Sequence, residues 1–284
     1  MKKKGVFRLL ETTRSHWYYI LNKDFPSGVE MPSSTNILEV YPNPQLTYWL
    51  TTTSPEEIEE KTKNGKRSGT KTHHSGYLLS LGEVINPNIG ITKAQIMKLP
   101  LETSEDKKKD DELLSYLMLP FNDREYRCLE GFKNFWEDFK PISVLREKKV
   151  YHKKLLYAGT LDWAGYLWNS KKKKYEFWLI DYKISNSHDI SYEAQICSYY
   201  KALCQMQGRN IKARLGILYL GKTTKKRFQL KEVEDKNKAW DDFILAKKLW
   251  HSLYPNAKPT LKEPLEEISV KIDFKAKGRR IIFK

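Results

Sequence analysis

Asp162, Asp181 and Lys183 can share one piece of chemistry: two carboxylates and an amine around a single point. An acid two residues before a lysine is common in this chain. It occurs eight times, including Glu59-Glu60-Lys61, Asp106-Lys107-Lys108, Asp138-Phe139-Lys140, Glu147-Lys148-Lys149 and Asp273-Phe274-Lys275, so the spacing alone says little. Asp181-Tyr182-Lys183 differs because it follows an unbroken apolar run, Phe177-Trp178-Leu179-Ile180, that reads as a buried strand. A hairpin centred on Lys171-Lys172 sets Tyr166 opposite Phe177 and Asp162 opposite Asp181. Opposed residues of an antiparallel pair share a face, with Cβ atoms about 4.5–5.5 Å apart. Strand alternation puts Lys183 on the face of Asp181. Two carboxylates so placed repel unless a cation lies between them. Their oxygens suit a hard divalent ion such as Mg²⁺ or Mn²⁺. Such an ion would polarise a phosphodiester and lower the pKa of a bound water, with Lys183 orienting or deprotonating that water or stabilising charge at phosphorus. A surface Asp181–Lys183 pair beside a solvated Asp162 is the plainer alternative.

Positioning these groups requires a regular sheet. Val144–Tyr151, Leu155–Trp168 and Tyr175–Lys183 read as three strands, the last two joined as a hairpin. Ser191–Gln207 reads as a helix capped by Ser191, Ala213–Leu220 as a further strand, and Val233–Tyr254 as a helix ended by Pro255 and Pro259. A helix over Ser68–Leu81 precedes them, giving α…β-β-β-α-β. Upstream, residues 1–66 look turn-rich, broken by Pro26, Pro32, Pro42, Pro44 and Pro55. Ser54-Pro55-Glu56-Glu57 is a helix start and Asn64-Gly65-Lys66 its expected end. Residues 102–112 form a charged low-complexity stretch, and Phe132, Phe135, Trp136 and Phe139 mark a helix over Leu129–Phe139. The expected organisation is an N-terminal wall over 1–66, a core over 67–254 with a helical insertion at about 85–140, and a basic tail over 255–284.

Composition narrows the partners. Lys and Arg number 51 against 35 Asp and Glu, a net charge of +16, which favours a polyanion, nucleic acid foremost. Lysines and arginines cluster at Lys171–Lys174, around Lys222–Arg227 and in the tail from Lys271 to Lys284. No stretch approaches the ~20 apolar residues of a spanning helix, so no membrane partner is expected. Met1-Lys2-Lys3-Lys4 is followed by too short and too charged a run for a signal peptide. Cys128, Cys197 and Cys204 form no CxxC pair and cannot close a disulfide framework. They read as core thiols of a protein in a reducing, cytoplasmic setting, the host cytoplasm if the chain is viral.

Gly159-Thr160-Leu161-Asp162, then Leu179-Ile180-Asp181-Tyr182-Lys183, then Gln195-Ile196-Cys197-Ser198-Tyr199 resembles the PD-(D/E)xK nuclease superfamily, in the order of its RecB-like branch. That branch includes phage exonucleases and the mitochondrial genome-maintenance exonuclease. The resemblance covers about residues 142–220, and Ser68-Gly69-Thr70-Lys71-Thr72-His73 is similar to the branch's upstream helix motif. It implies a restriction-endonuclease-like α/β core, a central mixed sheet flanked by helices, with helical N-terminal and central elaborations. Asp162 and Asp181 would then be metal ligands, joined by His73 and the Tyr182 backbone carbonyl, with Lys183 the catalytic lysine. Gln195 and Tyr199, one helical turn apart, would buttress the site or touch the DNA backbone. His74 stands where relatives often carry an acid. Glu147 stands where relatives often carry a glutamate before the second strand, and is read here as structural. The three cysteines do not supply the four that some relatives use for an iron–sulfur cluster.

Gly216-Ile217-Leu218-Tyr219-Leu220-Gly221-Lys222-Thr223 satisfies the phosphate-loop pattern literally, but its middle residues compose a buried strand, so no ATP site is expected. The expected function is Mg²⁺- or Mn²⁺-dependent DNA hydrolysis, exonucleolytic on ends or single strands, with replication or recombination proteins as further candidate partners. A structure-selective or sequence-specific endonuclease on the same core is one alternative. A catalytically inactive basic DNA-binding scaffold is another.

Overall fold

The computed structural model describes residues 6–10, 16–101, 107–184 and 188–259. The expectations for Met1–Lys4, for residues 102–106 and for the tail from 260 to 284 lie outside them.

The N-terminal part is more regular than its prolines suggest. β1 (Val6–Leu10), β2 (Trp17–Asn22) and β3 (Phe25–Pro32) form an antiparallel sheet in that order. Pro26 and Pro32 are tolerated because β3 is an edge strand, where a missing N–H need not break a ladder. α1 (Ser34–Leu38) follows, and α2 (Pro44–Thr52) and α3 (Pro55–Ser80) each start on a proline behind an Asn43 or Ser54 cap. α3 is continuous through Gly65, so the expected break at Asn64-Gly65-Lys66 is absent, and the boundary drawn at 66 falls inside a helix. One half-buried glycine costs a helix only about 1 kcal/mol against alanine, less than a capped 26-residue helix with a buried second half supplies. α4 (Lys93–Ile96), α5 (Lys107–Leu117) and α6 (Asp123–Phe139) make up the central insertion.

The main sheet runs β4 (Ile142–His152), β5 (Tyr157–Asn169), β6 (Lys174–Lys183), β7 (Arg214–Leu220) and β8 (Phe228–Glu232), in that spatial order. Only β6 and β7 are parallel. The crossover between them is α7 (Ile190–Gln207), and α8 (Lys236–Leu253) packs beside it. The chain is thus a mixed α/β protein, and the order α3…β4-β5-β6-α7-β7 is the one expected. Leu179, Leu215 and Leu161 meet α7 and α8 on one side of the sheet; Trp163, Ile180, Tyr182 and Leu218 meet Phe132 and Phe135 of α6 on the other. Helix boundaries shift where a better cap exists. Asp189, not Ser191, caps α7 by accepting the Ser191 N–H, and Asp235 caps α8, leaving Val233 bonded to Leu215 in the sheet. Residues 217–220 of the phosphate-loop pattern lie in β7. All three cysteines are buried free thiols, and no described helix is long and apolar enough to cross a membrane.

Candidate metal centre

Asp162 occupies the centre of three adjacent strands. The β5–β6 register runs from Asn169 opposite Lys174 to Trp163 opposite Ile180, as expected. The paired register ends there, one step short of Asp162 and Asp181. On the other flank, Arg146 pairs with Trp163 and Lys148 with Leu161, which leaves Glu147 across from Asp162. Glu147, Asp162 and Asp181 thus lie on the adjacent strands β4, β5 and β6. Glu147 has a positive φ of 43°. A non-glycine residue held in that left-handed region is strained, and such strain concentrates at functional sites.

α3 brings His73 to this row. His73 Nδ1 is 3.3 Å from Asp162 Oδ1. Gly76, one turn on, lets the helix approach: a Cβ there would lie 2.6 Å from the Phe132 ring. Ligand atoms of His73, Glu147 and Asp162 all fall within 4.8 Å of one another. Glu147 thus sits in the cluster. Counting register across the β4–β5 hairpin would have found it, but the Lys153-Lys154-Leu155-Leu156 turn carries no Gly, Pro, Asn or Asp to mark where the strands reverse.

Asp181 and Lys183 occupy the adjoining half. Lys183 Nζ is 2.7 Å from Asp181 Oδ2. Lys183 Nζ donates to Gln195 Oε1 at 3.1 Å, and Gln195 Nε2 donates to the Tyr199 hydroxyl at 2.8 Å. Gln195 and Tyr199 therefore reach the lysine from α7. Tyr182 contributes its N–H, which donates to Asp162 Oδ2 at 2.6 Å, while its ring is buried against Phe132. Tyr18, on β2, shares a 2.9 Å hydrogen bond with the Thr160 hydroxyl; nothing in its sequence context pointed there.

The charges are crowded. Burial and the neighbouring Asp162 push the Glu147 carboxyl up to about 8. Burial pushes Asp181 up to about 6 against the pull of Lys183. Burial disfavours a charged His73, but the Asp162 carboxylate outweighs it and raises the imidazole to about 9. Asp162 is pushed up by burial, yet His73 and Lys183 hold it below the usual carboxylate range. Burial lowers Lys183, but Asp181 and Asp162 more than compensate, so it stays an ammonium. Glu147, Asp162 and the His73 imidazole form a donor set of a kind Mg²⁺ or Mn²⁺ accepts, Asp181 lying outside that cluster, and a cation would offset the burial and the Asp162 charge that raise the Glu147 carboxyl.

The relay behind Lys183 depends on Gly159. A Cβ at that position would lie 2.2 Å from the Tyr199 ring, inside contact distance. Gly159→Ala is expected to displace Tyr199 and release Gln195 from the Lys183 ammonium. A crystal structure of the variant, with circular dichroism to confirm the fold in solution, checks this. No family model matches the chain, and no curated protein sequence matches it.

Proposed function

We propose that this protein is a divalent-metal-dependent nuclease that hydrolyses DNA phosphodiesters from a restriction-endonuclease-like core. The observation that carries the reading is the convergence of His73, Glu147 and Asp162, with Asp181 pairing the Lys183 ammonium on the neighbouring strand. Asp162, with Glu147, Asp181 and His73, would hold the metal, and the Tyr182 carbonyl is the remaining candidate ligand. When bound, the ion would supply Lewis-acid activation of the phosphodiester and of its attacking water. Lys183, kept charged by Asp181 and steered by Gln195, would neutralise negative charge developing on the phosphoryl oxygens. The Tyr182 N–H fixes the Asp162 carboxylate, leaving its second oxygen toward His73.

Exonucleolytic action on ends or single strands rests on the RecB-like resemblance, and the net charge of +16 supports a nucleic-acid substrate. Lys183→Ala is expected to abolish cleavage while leaving DNA binding largely intact. End-labelled single- and double-stranded oligonucleotides with Mg²⁺ or Mn²⁺, products sized over time, read both activity and polarity. Cleavage at the wild-type rate by Lys183→Ala would remove that residue from the mechanism. Cutting of closed circular DNA would replace exonuclease by endonuclease.

A further inference from the structure

The β5–β6 hairpin extends well past the carboxylates toward its turn. On the face of Asp181 the register places Ala164 opposite Leu179, Tyr166 opposite Phe177 and Trp168 opposite Tyr175. The first pair is buried. The next two pack edge to face, with ring centroids 5.1 Å and 5.2 Å apart. Tyr166 and Tyr175 are each 41% exposed, and Ile142, which pairs with Tyr166 from β4, is 50% exposed. Cross-strand aromatic pairing stabilises a hairpin. That role needs the rings to touch each other; it does not need two tyrosines open to solvent.

Charge surrounds the open rings. Lys171, Lys172, Lys173 and Lys174 are all exposed at the hairpin end. Lys172 pairs with Glu176 at 2.9 Å, while Lys171, Lys173 and Lys174 make no ion pair among the described residues. The ladder face carries no acid between Asp162 and the turn. Glu176 alternates to the opposite face, where Asn169 and Arg214 hold it. Exposed rings beside unpaired lysines are what a single strand requires: π-faces for its bases and cations for its phosphates.

We propose that the Tyr166–Tyr175 ladder and the Lys171–Lys174 turn form a binding surface for single-stranded nucleic acid. Six residues separate Tyr175 from Asp181, so the surface grips a strand about 20 Å from the carboxylates, at ~3.3 Å per residue. The choice of ligand rests on the nuclease reading, but binding here requires neither metal nor cleavage.

The test uses full-length Asp162→Asn protein in EDTA, so hydrolysis plays no part, and follows the anisotropy of short fluorescein-labelled strands. Tyr166→Ala and Tyr175→Ala should each weaken oligothymidylate binding about tenfold, whereas Tyr175→Phe, which keeps the ring, should bind as the parent does. Replacing all four turn lysines with glutamine should flatten the salt dependence of binding. An oligouridylate arm distinguishes RNA from DNA as the strand held. Because both tyrosines are exposed, thermal melts should show the variants folded. Unchanged affinity of both Tyr→Ala variants would overturn the proposal. So would an equal loss for Tyr175→Phe and Tyr175→Ala, or a Tyr→Ala effect on dimerisation in sedimentation with strand binding intact, which would assign the ladder to a second copy of this chain.

Discussion

Asp162→Asn is expected to remove metal-dependent DNA cleavage, by at least about a thousandfold, which corresponds to roughly 4 kcal/mol of lost transition-state stabilisation. The size follows from position. Asp162 accepts the Tyr182 N–H, faces His73 and shares its cluster with Glu147, so the cluster is built on this one carboxylate. Asparagine keeps an oxygen to accept the Tyr182 N–H, so the fold should survive while the charge that gathers the cation is gone. End-labelled substrate assays with Mg²⁺ and with Mn²⁺ measure the loss. Retained activity in either metal would move the chemistry away from this row.

The largest expected stability effect lies in α3, two residues before His73. Lys71 is fully buried, its Nζ 3.4 Å from Glu125 Oε2 of α6. The ammonium also donates to the carbonyls of Leu119 at 2.7 Å and Pro120 at 3.2 Å, and lies 4.3 Å from the Phe121 ring centre. Glu125 is satisfied from its own side by the Ser68 hydroxyl, the Asn122 N–H and the Tyr116 hydroxyl. Breaking such a pair by removing one partner leaves the other charge buried alone and costs about 3–5 kcal/mol. Lys71→Met should therefore lower the unfolding free energy by that amount in urea denaturation. Adding Glu125→Gln should restore a large part of it, because the stranded charge is then removed. A loss below about 1 kcal/mol for the single variant would mean that Glu125 finds water or a proton instead. Since the same helix carries His73, Lys71→Met should also weaken metal binding.

How far the sequence exposed this arrangement depends on how each element announces itself. The β5–β6 hairpin was legible because a four-residue apolar run ends in Asp181 and a lysine-rich turn marks the reversal; the register then followed from counting. α7 was legible by period, so Gln195 and Tyr199 fell on the same helical face as expected. Glu147 was obscured because its hairpin reverses through Leu156 in a left-handed conformation, with no glycine to show it. The N-terminal sheet was obscured by its prolines, which sit on an edge strand where pairing tolerates them. His73 was placed by resemblance alone. What fixes it is Gly76, whose missing side chain lets α3 close on Tyr182 and Phe132, a tertiary contact that periodicity does not report.

The central claim is that Glu147, Asp162, Asp181 and His73 hold a divalent cation, and calorimetric titration of the metal-free protein with Mn²⁺ tests it most directly. At neutral pH the Glu147 carboxyl, raised to about 8, and the His73 imidazole, raised to about 9, both carry protons that a cation must displace. Binding should therefore release protons, seen as heats that differ between buffers of different ionisation enthalpy, and affinity should rise with pH from about 6 to 9. Asp162→Asn should abolish the signal. A titration without binding heat, or one that Asp162→Asn leaves unchanged, would contradict the account.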